Sequence, residues 1–268
     1  MKKNKNLISI IIRTYNEQYW LPKLLEKIKE QNYKDYDVIL VDNGSSDKTK
    51  EIFKYYFSKS TIININHFNP ARAINLGIKK SKSDYIVIVS AHCIPKDKNW
   101  LSNLAKNMEN EKVVACYGRQ LPLITSDNSD KRDLLNTFGI ERRVQRKDTF
   151  FHNANSIIKK SFWKKYPFDE SLDHIEDRVW AKEVIKQKKH IVYEPKAAVY
   201  HYHGINHSKN PERARKIAEI LTKHTSGNTK SLPSFLQFVN SKTLYCILGY
   251  DKKNKKIFNK ILRSIKQN

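Results

Sequence analysis

The sequence predicts an α/β fold, with a mostly parallel central sheet flanked by helices and a basic helical extension at the C-terminal end. Short apolar runs rich in β-branched residues alternate with amphipathic helical stretches through roughly the first 110 residues. The run from Asp84 to Pro95 carries a strand, Tyr85–Val89, apolar enough to be buried on both faces, and it stops abruptly at Ser90-Ala91-His92. In open α/β sheets ligands bind beyond the carboxyl ends of the strands, so those three residues fall where a site belongs.

Leu7–Ile12 is the first strand, and the polar Arg13-Thr14-Tyr15-Asn16-Glu17 leads into a helix from about Trp20 to Glu30. Leu21, Leu24, Leu25 and Ile28 recur there at helical spacing and form one apolar stripe. Asp37–Val41 is the second strand; Asn43-Gly44 demands a turn, and Ser46 or Asp47 caps the helix carrying Ile52, Phe53 and Tyr56. Thr61–Ile65 is the third strand, Pro70–Lys80 a helix with Pro in its first turn, and Asp97–Met108 the helix after the fourth strand. Val113–Tyr117 is extended. Gly118–Lys147 then reads as a long irregular loop or lid, with arginines at 142, 143 and 146. Phe151–Ile158 is a further strand, Ile175 to about Gln187 a helix, and His190–Tyr193 and Ala198–His203 are the last extended pieces. The expected division is 1–204 for the main domain, with a donor half 1–118 and an acceptor half 119–204, and 205–268 for the extension.

Charge is unevenly spread. The chain carries 51 Lys and Arg against 27 Asp and Glu, a net +24. Residues 205–268 hold 14 basic and 3 acidic residues, which suits an anionic surface such as the inner leaflet of a membrane. Nucleic acid would also suit the charge, but no helix-turn-helix, RNP or zinc-finger pattern is found. Three widely spaced cysteines (93, 116, 246) form neither a disulfide framework nor a four-ligand zinc pattern, and fit a reducing compartment. No apolar run reaches membrane-spanning length, and the basic first residues lack a cleavage site. The expectation is a cytoplasmic protein held peripherally on the inner face of the membrane.

No Gly-rich dinucleotide fingerprint and no P-loop is present, so a nucleotide must be held by side chains at the strand ends. Thr14, Asn16, Glu17 and Asp42 offer donors and acceptors suited to a base edge and a ribose diol, although Asp42-Asn43-Gly44-Ser45 also reads as a plain turn and cap. Taken together, Ser9–Glu17, Val41–Thr49 and Asn75-Leu76-Gly77-Ile78 resemble the nucleotide-binding half of family 2 glycosyltransferases of the GT-A fold, Rossmann-like in that half. The likeness runs from about Leu7 to His203 and is strongest to bacterial rhamnosyltransferase-like members of surface polysaccharide synthesis. It implies that Asp42 reads the base, that Thr14, Tyr15, Asn16, Glu17, Asn43 and Ser45 line the base and ribose pocket, and that Arg72 lies near the nucleotide.

The family places Asp-x-Asp, a Mg²⁺ or Mn²⁺ site, after the fourth strand; here the position reads Ser90-Ala91-His92, without a carboxylate. Imidazole tolerates Mn²⁺ better than Mg²⁺. The expectation is a divalent cation, Mn²⁺ favoured over Mg²⁺, held by His92 with His201 and His203, or else a metal-free clamp of Arg and Lys side chains. Read alone, Glu176 and Asp177 suit helix-dipole capping; the resemblance makes Asp177 the general base, with Glu176 and Trp180 positioning the acceptor. Arg119 and Gln120 match the same subgroup, with Arg119 near the diphosphate or the acceptor.

The reading is an inverting glycosyltransferase that takes a nucleoside-diphosphate sugar and a saccharide acceptor, including one carried on a lipid, in capsule, O-antigen or other surface glycan synthesis, with no nucleic-acid partner. Its alternatives are a catalytically inactive scaffold of the same fold and, further off, a basic nucleic-acid-binding protein.

Overall fold

The computed structural model describes residues 7–172 and 174–203. The basic extension expected at 205–268 lies outside the described residues. Four strands, β1 (Ile8–Thr14), β2 (Tyr36–Asp42), β3 (Thr61–Asn64) and β4 (Tyr85–Ser90), pair in parallel in the order β3-β2-β1-β4. Between them run α1 (Leu21–Lys29), α2 (Thr49–Tyr56) and α3 (Pro70–Lys80), the βαβ rhythm read from the sequence.

Strand periodicity decides what each face buries. Ile10 and Ile12 of β1 pack with Leu21, Leu24 and Leu25 of α1 and Phe53 of α2, while Ile11 faces Ala73, Ile74 and Ile78 of α3. Each fully buried Ile contributes about 1.5–3 kcal/mol. Asn69 caps α3 by accepting from the Arg72 amide at 2.8 Å.

Beyond β4 the sheet is mixed. β5 (Cys93–Pro95), β6 (Val113–Pro122), β7 (Arg143–Gln145), β8 (Asn155–Lys159) and β9 (His190–His201) extend it in the order β4-β8-β6-β9-β5, with β7 on β9. β8 lies antiparallel to β4 and β6, and β6 parallel to β9, so the carboxyl ends of β4, β6 and β9 face the same way. α4 (Trp100–Ala105), α5 (Asn128–Thr137), α6 (Lys160–Lys165) and α7 (Glu176–Lys186) complete the described elements, with a 3₁₀ turn at Lys106–Glu109 after α4.

Four expectations are corrected here. The supposed irregular loop 118–147 holds the end of β6, α5 and β7. β6 also runs straight through the division expected at 118/119. His190–Tyr193 and Ala198–His201 form one strand, because Tyr193-Glu194-Pro195-Lys196 continues extended across a bulge opposite Gly118, and Tyr202 and His203 lie beyond its end. The strand read as Phe151–Ile158 begins only at Asn155, because Asn153 turns its polar groups toward α7. At Gly118 the strands approach so closely that a Cβ would stand 1.9 Å from the Ala197 carbonyl oxygen.

Candidate active site

The carboxyl ends of β1, β2, β4 and β9 and the start of α7 converge on one crevice. Two loops build one side of it. The Asn16 amide donates to Ser45 Oγ at 2.8 Å, Ser45 Oγ donates to Asp42 Oδ1 at 2.5 Å, and the Ser46 amide donates to Asn16 Oδ1 at 2.9 Å. Asn16 reaches these partners by adopting a left-handed φ of 52°, which Asn tolerates better than most residues. Asp42 is fully buried, and its carboxylate also accepts from the Ser45 amide at 2.9 Å. It therefore fixes the loop, and contact with a base requires its remaining lone pairs. Thr14 Oγ1 and Asn43 Oδ1, at the ends of β1 and β2, are buried atoms without a hydrogen-bond partner among the described residues. Buried polar atoms are normally satisfied, so two orphans at the crevice mark places for a ligand's polar groups. Tyr15 is exposed beside them, and Arg72 is exposed in the first turn of α3.

At the end of β4, the Ser90 amide donates to the Ala154 carbonyl and the Ala91 amide to the Arg13 carbonyl, so Ser90 and Ala91 are held by main chain. His92 carries the chemistry: its Nδ1–H donates to Glu17 Oε1 at 2.5 Å. Glu17, which the resemblance set among the residues lining the base and ribose pocket, thus orients an imidazole. The His92 ring stacks on His201 with centroids 5.2 Å apart, and the His203 ring lies 4.9 and 4.2 Å from these two. His201 Nδ1–H donates to Gln120 Oε1 at 2.7 Å, and Gln120 Nε2–H donates to His152 Nδ1 at 3.0 Å. Gln120 is wholly buried between two imidazoles and orients them. With both Nδ1 atoms engaged, His92 and His201 in their neutral forms carry their lone pairs on Nε2.

Ligand-capable atoms of His92, Cys93 and His201 lie within 4.8 Å of one another. Imidazoles steered by a carboxylate and an amide are the arrangement that orients metal ligands. The set fits a divalent ion that accepts nitrogen and poorly fits Mg²⁺. Burial pushes the Cys93 thiol up, so the two imidazoles are the stronger donors.

The catalytic candidates sit at the first turn of α7. Asp177 Oδ2 accepts from the Asn153 amide at 3.2 Å and its Oδ1 from the Arg178 amide at 2.8 Å. Glu176 is 5% exposed and accepts from Asn153 Nδ2 at 3.2 Å. Burial, and then repulsion from Asp177, raise the Glu176 carboxyl from 4.5 to about 7, against the attraction of Arg13. Ile175, just before the pair, has φ of 60°, a strained conformation for a β-branched residue of the kind that gathers at active sites.

One expected residue is packed into the core. Trp180 packs against Phe151, Phe162 and Phe168 and donates its indole N–H to the Tyr166 carbonyl; with ring and N–H both satisfied it is core, not an acceptor platform. Arg119 turns its Nε to the Phe138 carbonyl at 3.2 Å. Conversely, sequence reasoning passed over Arg13 and Asn153. A charge following a run of isoleucines was the available signal for Arg13, whereas Asn153, within the polar run His152-Asn153-Ala154-Asn155-Ser156, carried none.

The mixed α/β sheet with its crevice at the strand ends defines a GT-A fold. It is similar to mannosyltransferase PcManGT from Pyrobaculum calidifontis, solved with GDP-Man and Mn²⁺, at TM-score 0.65 and 18% identity over 88% of this chain and 69% of that one. The chain belongs to glycosyl transferase family 2, whose model matches residues 9–166. Among curated relatives it is 34% identical over 134 residues to the dolichyl N-acetyl-alpha-D-glucosaminyl phosphate 3-beta-D-2,3-diacetamido-2,3-dideoxy-beta-D-glucuronosyltransferase of Methanococcus voltae, a match covering 46% of this chain and 42% of that protein. It is 25% identical over 210 residues to the O-antigen chain rhamnosyltransferase RfbN of Salmonella typhimurium, covering 74% of this chain and 67% of the relative. The chain thus spans less than half the length of the Methanococcus relative.

Proposed function

We propose that the chain is an inverting glycosyltransferase that moves a sugar from a nucleoside-diphosphate sugar to a hydroxyl of a saccharide acceptor in surface glycan synthesis. The observation that carries this reading is the carboxylate pair at the start of α7, anchored by Asn153 and set against a crevice whose other wall carries orphaned polar atoms and an imidazole cluster. Asp177, half-buried and positioned by two backbone amides, takes the proton of the acceptor hydroxyl. The acceptor oxygen forms its bond to the anomeric carbon from the face opposite the leaving group. The anomeric C–O bond to phosphate breaks, and its electron pair leaves with the nucleoside diphosphate. A base so placed contributes about 10²–10⁴-fold.

On the donor side, Thr14 and Asn43 supply the base and ribose contacts, with Asp42 behind them. His92 and His201, with His203 and Cys93 beside them, are the residues that would hold a divalent cation, Mn²⁺ in preference to Mg²⁺. Such an ion supplies positive charge to the departing diphosphate. Arg72 is proposed to add to that charge. RfbN is named as an O-antigen chain rhamnosyltransferase, and this supports a saccharide acceptor. No described helix is long and apolar enough to cross a membrane.

The test is calorimetric titration with a panel of nucleotide sugars, followed by NMR of the product's anomeric configuration. Binding of one donor and transfer with inversion are expected. Retention of configuration rejects the mechanism, and binding of none of the donors rejects the function.

A further inference from the structure

We infer that Arg13 is a positioning residue for the carboxylate pair, tying the end of β1 to the start of α7 across the floor of the crevice. Arg13 follows five residues of which four are isoleucine, in a central strand flanked by Val41 on one side and Ser90 on the other. An apolar residue would complete such a strand at less cost, because a buried guanidinium must be paired to be tolerated. Its Nη2 lies 3.5 Å from Ser90 Oγ and its Nη1 3.7 Å from Glu176 Oε1, and the side chain is 15% exposed. One cation therefore links the strand end that carries Ser90-Ala91-His92 to the helix that carries the proposed base.

The groups facing Glu176 are few. Asp177 comes from its own helix, the neutral amide of Asn153 from the segment before β8, and Arg13 from β1. Among the described residues Arg13 is thus the cation set against Glu176, whose like-charged neighbour is Asp177. The strained Ile175 gives the tie a purpose, since a sparsely populated backbone conformation persists only where surrounding contacts over-determine it. Asn153 holds the pair from one side and Arg13 from the other. When Arg13 is removed, Glu176 is left with a like charge and a neutral amide, keeps its proton above neutral pH and relaxes, carrying Asp177 out of line.

The effect on turnover rests on the transferase reading, so the test has an arm that does not need turnover. In the full chain, ¹³C NMR of labelled glutamate, assigned with Glu176→Gln, follows the Glu176 carboxyl against pH. Arg13→Met is expected to raise its midpoint by about one to three pH units, the range an opposite neighbouring charge commands, and Arg13→Lys to raise it less. In transfer assays Arg13→Met is expected to lower kcat about tenfold or more, a share of what a positioned base contributes, with donor KM little changed. The double variant Arg13→Met/Glu176→Gln is expected to be no slower than Glu176→Gln alone, since the two act as one unit. An unmoved Glu176 midpoint, or losses that multiply in the double variant, overturns the inference. If Arg13→Met does not fold, Arg13→Lys and Arg13→Gln are read by the same titration and the same rule. A wild-type chain that transfers no sugar sinks the functional reading and leaves the titration to decide Arg13.

Discussion

Glu176→Gln should make the protein more stable in mild alkali while making it a poorer catalyst. The substitution keeps the shape of the protonated carboxyl, and its amide oxygen can still accept from Asn153 Nδ2. It removes the cost of ionising a group 5% exposed beside Asp177. The sign follows from proton counting. With a folded-state value of about 7 against an ordinary 4.5, the folded chain holds a proton that the unfolded chain has released. Wild-type stability therefore falls as pH rises from 4.5 through 7, and the full cost is present above that window. At about 1.36 kcal/mol per pH unit the rise corresponds to roughly 3 kcal/mol. That figure already contains the opposing attraction of Arg13, which acts on the same equilibrium. For a domain of this size it is equivalent to about 6–12 °C in Tm. Thermal melts of both proteins at pH 4 to 8.5 should coincide, apart from a constant offset, at the acid end and diverge through neutrality, with the Gln variant higher. Parallel curves across the whole range would show that Glu176 ionises in the folded state as it does in water, and the account of the pair would fail.

Asp177→Asn should abolish transfer yet leave donor affinity within about twofold, because the amide keeps the contacts but cannot take the proton; wild-type turnover would remove Asp177 as base. Gly118→Ala should cost about 3 kcal/mol or more in a chemical melt, since the added Cβ meets the Ala197 backbone and cannot be relieved by a rotamer change; a loss below about 1 kcal/mol would mean that the bulge yields. Chelator should strip activity, Mn²⁺ should restore it better than Mg²⁺, and metal analysis of His92→Ala and His201→Ala should show reduced occupancy. Full activity in excess EDTA would leave the diphosphate to Arg and Lys side chains.

What the sequence made legible followed from period and apolarity. The isoleucines of β1 and the run Ile86–Val89 read as strands because β-branched residues dominate, and Pro70 announced α3. α5 escaped because Asn128–Thr137 is mostly polar and buries few apolar side chains, Leu134 among them, so no stripe stands out. Trp180 was misplaced for a different reason. The resemblance made it a residue that positions the acceptor, while the spacing of Trp180, Ala181 and Val184 already marked the buried stripe of a helix. The imidazole cluster was half visible. Three histidines were named, but the partners that fix their tautomers, Glu17 and Gln120, stand 75 and 81 residues away from His92 and His201, and no local pattern connects residues that far apart.

β9 is the last described strand in the chain, yet it pairs with β5, β6 and β7. The parallel half can assemble from neighbouring βαβ units as it is made. β5, by contrast, waits for residues Val199–His201 to reach its Cys93–Pro95 edge, a closure of more than 100 residues that sequence-distant pairing makes slow. During synthesis the parallel strands β1 to β4 are therefore complete while β5 and β6 still present open edges, which are templates for pairing with other chains. His201 ends the strand that covers those edges. The imidazole cluster consequently forms in the same event that covers those edges, and a site assembled by the last described strand cannot act before that strand is in place.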